Sequence, residues 1–162
     1  ESLKDTTIHF DYQNLLTFCG NSPIRDMFVA TANALIEQGD YQKALEVLDR
    51  VIEITPKENL PYSIPIDGTQ NDISMIEIIE NYLVLRQNDK AEKIAREFAQ
   101  QLLEVTQFYA NLGPDGEFLD KENIDQNISI FYYLISVLKS YGEADLANEL
   151  SALLDETFGV EE

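Results

Sequence analysis

The chain has 162 residues, enough for one domain with a substantial core, and 44% of them are hydrophobic, which argues against general disorder. Its 30 Asp and Glu residues against 11 Lys and Arg give a formal charge of −19, which disfavours nucleic acid and an anionic membrane surface as partners. Such acidity is typical of a well-solvated surface; the alternative is attraction for a cationic partner or a divalent ion.

The chain contains a single Cys and a single His, both near its N-terminus. Cys19 alone cannot form an intramolecular disulfide. Lipid attachment at Cys19 is disfavoured because Asp5, His9 and Asp11 interrupt the apolar segment that a lipoprotein signal needs. No run approaches the roughly 18 to 20 apolar residues of a membrane span, so we expect this segment not to be membrane-inserted.

Residues 1–22 show no sustained hydrophobic period. Ile8, Phe10 and Tyr12 alternate with polar residues, which predicts a short extended piece. We therefore expect 1–22 to form an N-terminal arm packed on the helices that follow. Ser22-Pro23 suits a helix start, because a hydroxyl can cap the helix and proline fits its first position.

The stretch from Arg25 to Pro56 predicts two amphipathic helices joined by a tight turn, a hairpin over about 23–55. Apolar and small residues recur at steps of three and four, which places them on one stripe of each helix. Gly39 tolerates the left-handed conformation that ends a helix, and Asp40 can cap the next one. The stripe consists of Phe28, Ala32, Leu35, Ala44, Leu48 and Val51.

Residues 57–71 are expected to form a loop, because their prolines and glycine break helices. The hairpin pattern then returns about 47 residues after the first, over about 72–111. Arg86 stands where the first hairpin has its turn glycine, and without a closing proline the second helix can continue to Asn111. The second stripe consists of Met75, Ile79, Tyr82, Ala91, Ala95 and Phe98.

A third copy follows about 56 residues later, over about 124–158, after a polar loop that we expect at 113–123. Gly142 occupies its turn, and its stripe consists of Phe131, Ile135, Leu138, Ala147, Ser151 and Leu154. Three copies in register indicate a tetratricopeptide-like architecture, whose uninterrupted unit is about 34 residues. The fold expected for 23–162 is all-α: three stacked helical hairpins arranged like a right-handed superhelix, interrupted by insertions.

The first hairpin and the segment after it also resemble a known family. The residues that carry the resemblance are Arg25, Phe28, the run 32–36, Gly39, Lys43-Ala44, Val47-Leu48-Asp49, the Pro-x-Glu-x-x-Pro-Tyr segment from Pro56 to Tyr62, Glu80-Asn81-Tyr82, Lys90-Ala91 and Phe108-Tyr109. They are similar to the C-terminal soluble region of a bacterial family of multi-pass membrane proteins of unknown function, related to protein O-mannosyltransferases. The resemblance implies an extracytoplasmic, periplasmic-side appendage tethered to a membrane region upstream, onto which no catalytic residue carries over.

We expect no catalytic, cofactor or metal site in this chain. His9 and Cys19 have no third group that would orient them as a base and a nucleophile. The acidic residues at 115–122 lack the alternating ligands and terminal Glu of a calcium loop, and those around Asp67 fare no better. Carboxylate pairs such as Glu77 and Glu80 are expected among 30 acids, and acid–base chemistry would also need a pocket.

The remaining candidate is the groove that the first helices of such hairpins line. Its acidic residues would repel a partner that offers a terminal carboxylate. Tyr132-Tyr133 can form a binding platform; the alternative is that one tyrosine packs and the other is half exposed. The predicted partner groove consists of Asn33, Ile36, Glu37, Glu77, Glu80, Tyr132, Tyr133 and Lys139, flanked by Val29, Ile76, Leu83 and Ser136.

The function expected from these features is a non-catalytic protein-interaction or scaffold module. Its partner would be a protein or peptide that is basic or apolar. The resemblance implies that the module is the soluble tail of a membrane-embedded glycosyltransferase-like protein. The alternatives are a free-standing peptide-binding adaptor of the same fold, in the cytoplasm or periplasm, and, more remotely, an enzyme built on helical repeats.

Overall fold

A computed structural model of the chain describes residues 4–7, 24–63, 70–111 and 114–158, with only the backbone at 70–72 and 114–123. In these ranges the chain forms six helices and no strand, which confirms the all-α prediction. Most of the predicted arm at 1–22, and the predicted helix start at Ser22-Pro23, lie outside the described residues. The helices are α1 Ile24–Glu37, α2 Tyr41–Ile54, α3 Gln70–Val84, α4 Asn88–Ala110, α5 Pro114–Ser140 and α6 Ala144–Phe158.

The six helices pair into three hairpins that stack side by side. α1 packs against α2, α3 against α4, and α5 against α6. The first helices of the hairpins also touch along the stack, α1 on α3 and α3 on α5, while α4 packs on both α5 and α6. None of these six helices combines the length and the apolar character that crossing a membrane requires.

The predicted stripes form the hydrophobic core. All of their residues are buried except Phe28, Leu35 and Ser151, which are half-buried. Burying one leucine-sized side chain stabilises a fold by about 1.5–3 kcal/mol, so this repeated stripe supplies much of the driving force for stacking. The same spacing of three and four residues that predicts the helices therefore also predicts which faces pack.

All three hairpins turn through a residue with positive φ: Gly39 at 78°, Arg86 at 56° and Gly142 at 89°. In each turn this residue's amide donates to the carbonyl three residues back, and the next amide donates to the carbonyl five residues back. This is the hydrogen-bond pattern of a glycine-type helix C-cap. Arg86 thus adopts the glycine geometry, and the Asp40 side chain caps α2 as predicted, accepting from the Lys43 amide.

One predicted boundary is wrong: the loop expected at 113–123 is helical from Pro114 onward. Proline's fixed φ and missing amide hydrogen suit the first position of a helix, so Pro114 opens α5 instead of excluding a helix. The resulting 27-residue α5 packs along α4, whose 23 residues extend past 103 as predicted. The third hairpin therefore begins ten residues earlier than its stripe alone indicates.

Candidate functional site

The eight predicted groove residues lie on the first helices of the hairpins, but part of the predicted flank is buried. Val29, Ile76 and Leu83 are 2%, 0% and 6% exposed. Their prediction as groove residues is wrong because α1 packs on α3 and α3 packs on α5, which covers this side of each helix. Ile36 is half-buried, whereas Glu37 and Lys139 are exposed.

Asn33 takes part in joining the first two hairpins. The side-chain amide of Asn81 on α3 donates a hydrogen bond to the side-chain carbonyl oxygen of Asn33 at 2.7 Å. Nearby, the Ser74 hydroxyl on α3 donates to the Asp26 carboxylate on α1. These hydrogen bonds satisfy polar groups where the helices pack, so Asn33 helps to hold α1 against α3.

Glu77 and Glu80 form an acidic pair on α3, and both are half-buried. Burial raises the pKa of Glu77 most, and the charges of Asp26 and Glu80 raise this pKa further. Glu80 accepts a hydrogen bond from the Tyr141 hydroxyl at 2.8 Å, across the junction to the third hairpin. A cation placed beside Glu77 would relieve this repulsion between carboxylates.

Tyr132 and Tyr133 are each 48% exposed on α5. The alternative in which one of them packs away is therefore wrong, because both rings present about half of their surface. The Tyr133 phenol also contributes to raising the pKa of Tyr141, after burial and the bond to Glu80. The structure thus links Tyr133 on α5, through Tyr141, to Glu80 on α3.

A cavity that the sequence did not predict lies between α2 and α4, and we call it the α2–α4 cavity. Its volume is about 170 Å³, and its apolar wall is formed by Ile52, Tyr62, Tyr82 and Ile94. Burial raises the pKa of Tyr62 to about 12. Burial followed by the charge of Asp49 raises the pKa of Tyr82 far above its usual range, so both phenols are neutral.

The charged rim of the α2–α4 cavity joins the first two hairpins. Asp49 on α2 accepts from Lys90 on α4 at 2.6 and 2.7 Å, and from the Tyr82 hydroxyl at 3.0 Å. The Lys90 ammonium also lies 5.7 Å from the centre of the Tyr82 ring. Forty-one residues separate Asp49 from Lys90, so no local spacing signals this contact.

Tyr62 is held in the cavity wall by groups from two helices. The Arg25 side chain on α1 is 3% exposed and donates to the carbonyls of Leu60 at 2.7 Å and Pro61 at 2.9 Å. Its guanidinium lies 5.3 Å from the centre of the Tyr62 ring. On the other side, Gln101 on α4 accepts from the Tyr62 amide at 2.6 Å. Several residues that carry the family resemblance therefore contact one another.

Most of the residues considered for catalysis and metal binding lie outside the part of the chain that the structure describes. His9, Cys19 and Asp67 belong to ranges that are not described, and so do the side chains at 115–122. Among the residues that are described, no group of three or more His, Cys, Asp or Glu side chains is arranged to hold a metal ion.

Comparison of the chain with protein-family models, with curated proteins and with solved structures finds no match. The resemblance to the membrane-protein family therefore stays a prediction. The function is inferred below from the geometry of the α1–α3–α5 face and the residues that it exposes.

Proposed function

We propose that this chain is a non-catalytic protein-interaction module. The binding surface is the face formed by α1, α3 and α5, which we call the acidic face and define by Glu37, Glu77, Glu80, Tyr132 and Tyr133. Its partner is a protein segment that carries Lys or Arg beside apolar residues. The acids attract the basic groups, and the tyrosine rings offer apolar contact area with few rotatable bonds.

The observation that carries this proposal is the exposure of Tyr132 and Tyr133 on α5, which packs on α3, the helix that carries the half-buried Glu77 and Glu80. Two neighbouring aromatic side chains that are each 48% exposed offer apolar area whose burial against a partner would be favourable. The raised pKa of Glu77 supports the same conclusion, since a bound ammonium or guanidinium group would stabilise its charged form.

Selection from a phage-displayed peptide library tests the proposal. We expect the enriched peptides to combine Lys or Arg with aromatic or branched aliphatic residues. Their affinity for the Glu37→Lys/Glu80→Lys variant should fall by about tenfold, because two attractive charges become repulsive. Binding is measured by fluorescence anisotropy with labelled copies of the enriched peptides.

A charge-matched control is available on the second helices. Glu46→Lys/Glu104→Lys changes the net charge equally, at two exposed positions on α2 and α4. This control should leave affinity within about twofold, and both variants should keep the helical circular dichroism of the parent. Equal weakening in the two variants would show that only net charge matters and would overturn the assignment to the acidic face.

We extend the proposal to the cellular context: the module is the soluble, periplasmic-side tail of a membrane-embedded glycosyltransferase-like protein, where it positions a protein substrate or partner. Support comes from Asp49, Tyr62, Tyr82 and Lys90, residues of the resemblance that line one cavity, and from Arg25, which contacts the Tyr62 ring. The reading frame upstream of Glu1 should then encode several long apolar segments. A simple secretion signal or an immediate start codon there would instead favour the free-standing adaptor.

A further inference from the structure

The α2–α4 cavity lies apart from the acidic face, because its lining comes from α2, α4, Tyr62 and the buried Tyr82 ring. None of the eight predicted groove residues contributes to it. Pockets for small-molecule ligands usually measure about 300–1,000 Å³. A cavity of about 170 Å³ is too small for a nucleotide or a disaccharide. It matches a single ring, since an apolar cavity of about 150 Å³ is known to take up benzene.

The walls of the cavity are fixed before any ligand arrives. Arg25 and Gln101 hold the backbone around Tyr62 from both sides, and the Tyr82 hydroxyl donates to Asp49. A ligand therefore meets tyrosines that these contacts already position. Preorganisation of this kind raises affinity because less conformational entropy is lost on association.

Among the residues that the structure describes, the charges at the cavity rim leave one cation without an acidic partner. Asp49 is neutralised by Lys90, and Glu97 pairs with Lys57 at 3.3 Å. Lys93 lines the same cavity and is exposed, and no described acidic side chain pairs with it. On a chain of formal charge −19, an unpaired lysine beside an apolar cavity favours a ligand that joins an apolar group to a carboxylate.

We propose that the α2–α4 cavity is a socket for one aromatic side chain of a protein partner, whose adjacent carboxylate pairs with Lys93. The ring enters between Ile52 and Ile94 and lies over the edges of the two buried tyrosines. The carboxylate stays at the rim, where water remains accessible. This socket gives the module a second contact surface whose preferred charge is opposite to that of the acidic face.

The smallest probe of the socket is N-acetyl-phenylalanine, which carries the ring and the carboxylate together. Binding is followed through the NMR signals of the Ile52 and Ile94 methyl groups. A fragment of this size should bind with a dissociation constant on the order of 1 mM. N-acetyl-phenylalaninamide should bind about threefold more weakly, because it lacks the charge that pairs with Lys93. N-acetyl-glycine, which has no ring, should leave both methyl signals unmoved.

Two variants of the chain separate the ring contact from the charge contact. Ile52→Trp fills the cavity from a half-buried position on α2 and should abolish binding of every probe. Lys93→Gln should bind the acid and the amide equally, whereas the control Lys43→Gln, at an exposed position on α2, should keep the threefold preference. Unchanged methyl signals with N-acetyl-phenylalanine, or an acid preference that survives Lys93→Gln, would overturn the proposal.

A last experiment tests whether the ligand of the cavity is a segment of a protein. N-acetyl-Ala-Ala-Phe with a free carboxylate should bind at least as tightly as N-acetyl-phenylalanine. If the added residues abolish binding, the socket takes a free aromatic acid, and the proposed protein partner is wrong. The result is independent of the acidic face, because the Glu37→Lys/Glu80→Lys variant should bind these probes like the parent chain.

Discussion

The junction between the first and second hairpins is built differently from the junction between the second and third. At the first junction α1 packs on α3, while Tyr62 and the α2–α4 cavity lie between the second helices. At the second junction α4 packs directly on α5 and α6. The extra residues between copies thus form an inserted segment in one case and longer helices in the other, so similar hairpins stack in two ways.

The polar contacts of the two junctions differ in their buried members, although exposed pairs such as Asp49–Lys90 cross the first junction as well. The first junction contains the buried side chain of Arg25 and the Asn81–Asn33 hydrogen bond. The second junction is crossed by exposed contacts, Asn88 to Glu143 at 2.6 Å and Arg96 to Glu149 at 2.8 Å. A buried polar group that loses its partner costs much more than a broken surface ion pair. The first junction should therefore be the one most sensitive to loss of a single polar side chain.

The largest expected effect is that of Arg25→Met, which keeps much of the side chain's volume and removes the guanidinium. The carbonyls of Leu60 and Pro61 lose their donors, and Tyr62 loses the cation beside its ring. We expect the free energy of unfolding to fall by about 3 kcal/mol. Urea denaturation measures this loss, and hydrogen exchange should show α1 and α2 opening more readily than α5 and α6.

The control for this variant is Arg50→Met on α2, where the arginine is exposed and pairs with Glu53 at 2.8 Å. Its free energy of unfolding should change by about 0.5 kcal/mol or less. If Arg25→Met accelerates exchange equally in all helices, the two junctions do not differ as proposed, and the hairpins unfold as one cooperative unit.

The sequence predicted the hairpins well and the junctions poorly, for a physical reason. Helix stripes and turns are local patterns, so the steps from Met75 to Tyr82 and the turn at Gly142 are visible in the chain itself. The Asp49–Lys90 pair and the support of Tyr62 by Arg25 join residues that are distant in sequence. No period in the sequence predicts such contacts.

The candidate site shows the same limit. The predicted groove residues lie on the first helices of the hairpins, and Tyr132 is exposed, but their role in binding stays a prediction. It failed for Ile76 and Leu83, because an off-stripe position can face either solvent or the next hairpin. Only the packing of α3 on both α1 and α5 decides between these two environments.

A smaller effect is expected at the three turns, which share one geometry although the junctions differ. Arg86→Gly should stabilise the chain by about 0.5–1 kcal/mol, since glycine adopts the left-handed conformation without steric strain. Gly39→Ala and Gly142→Ala should each destabilise it by about 1 kcal/mol, because an L side chain is strained at positive φ. A Cβ atom at either glycine meets open space, so backbone strain alone is being tested.

Shifts in the urea midpoint measure these differences when the slope of the unfolding free energy against urea concentration is the same for all variants. The two alanine variants should agree with each other within experimental error, because both turns have the same hydrogen bonds. If Arg86→Gly instead lowers stability, the Arg86 side chain makes a contribution that offsets its strained φ, and the second turn is not equivalent to the other two.

The smallest expected effect concerns Glu77, which lies on α3 beside Asp26 of α1. Its pKa is raised above 4.5 in the folded chain, by burial first and then by neighbouring carboxylates, so folding favours the protonated form. The associated stability is present below pH 4.5 and is lost as pH rises through the folded pKa. Glu77→Gln should therefore stabilise the chain at neutral pH by a few tenths of a kcal/mol, discounted for partial exposure, and have little effect below pH 4.5.

Urea unfolding at both pH values measures this difference, with Glu104→Gln, at an exposed position on α4, as the control. A gain that persists at low pH would mean that packing of the amide, and not relief of charge repulsion across the first junction, is responsible.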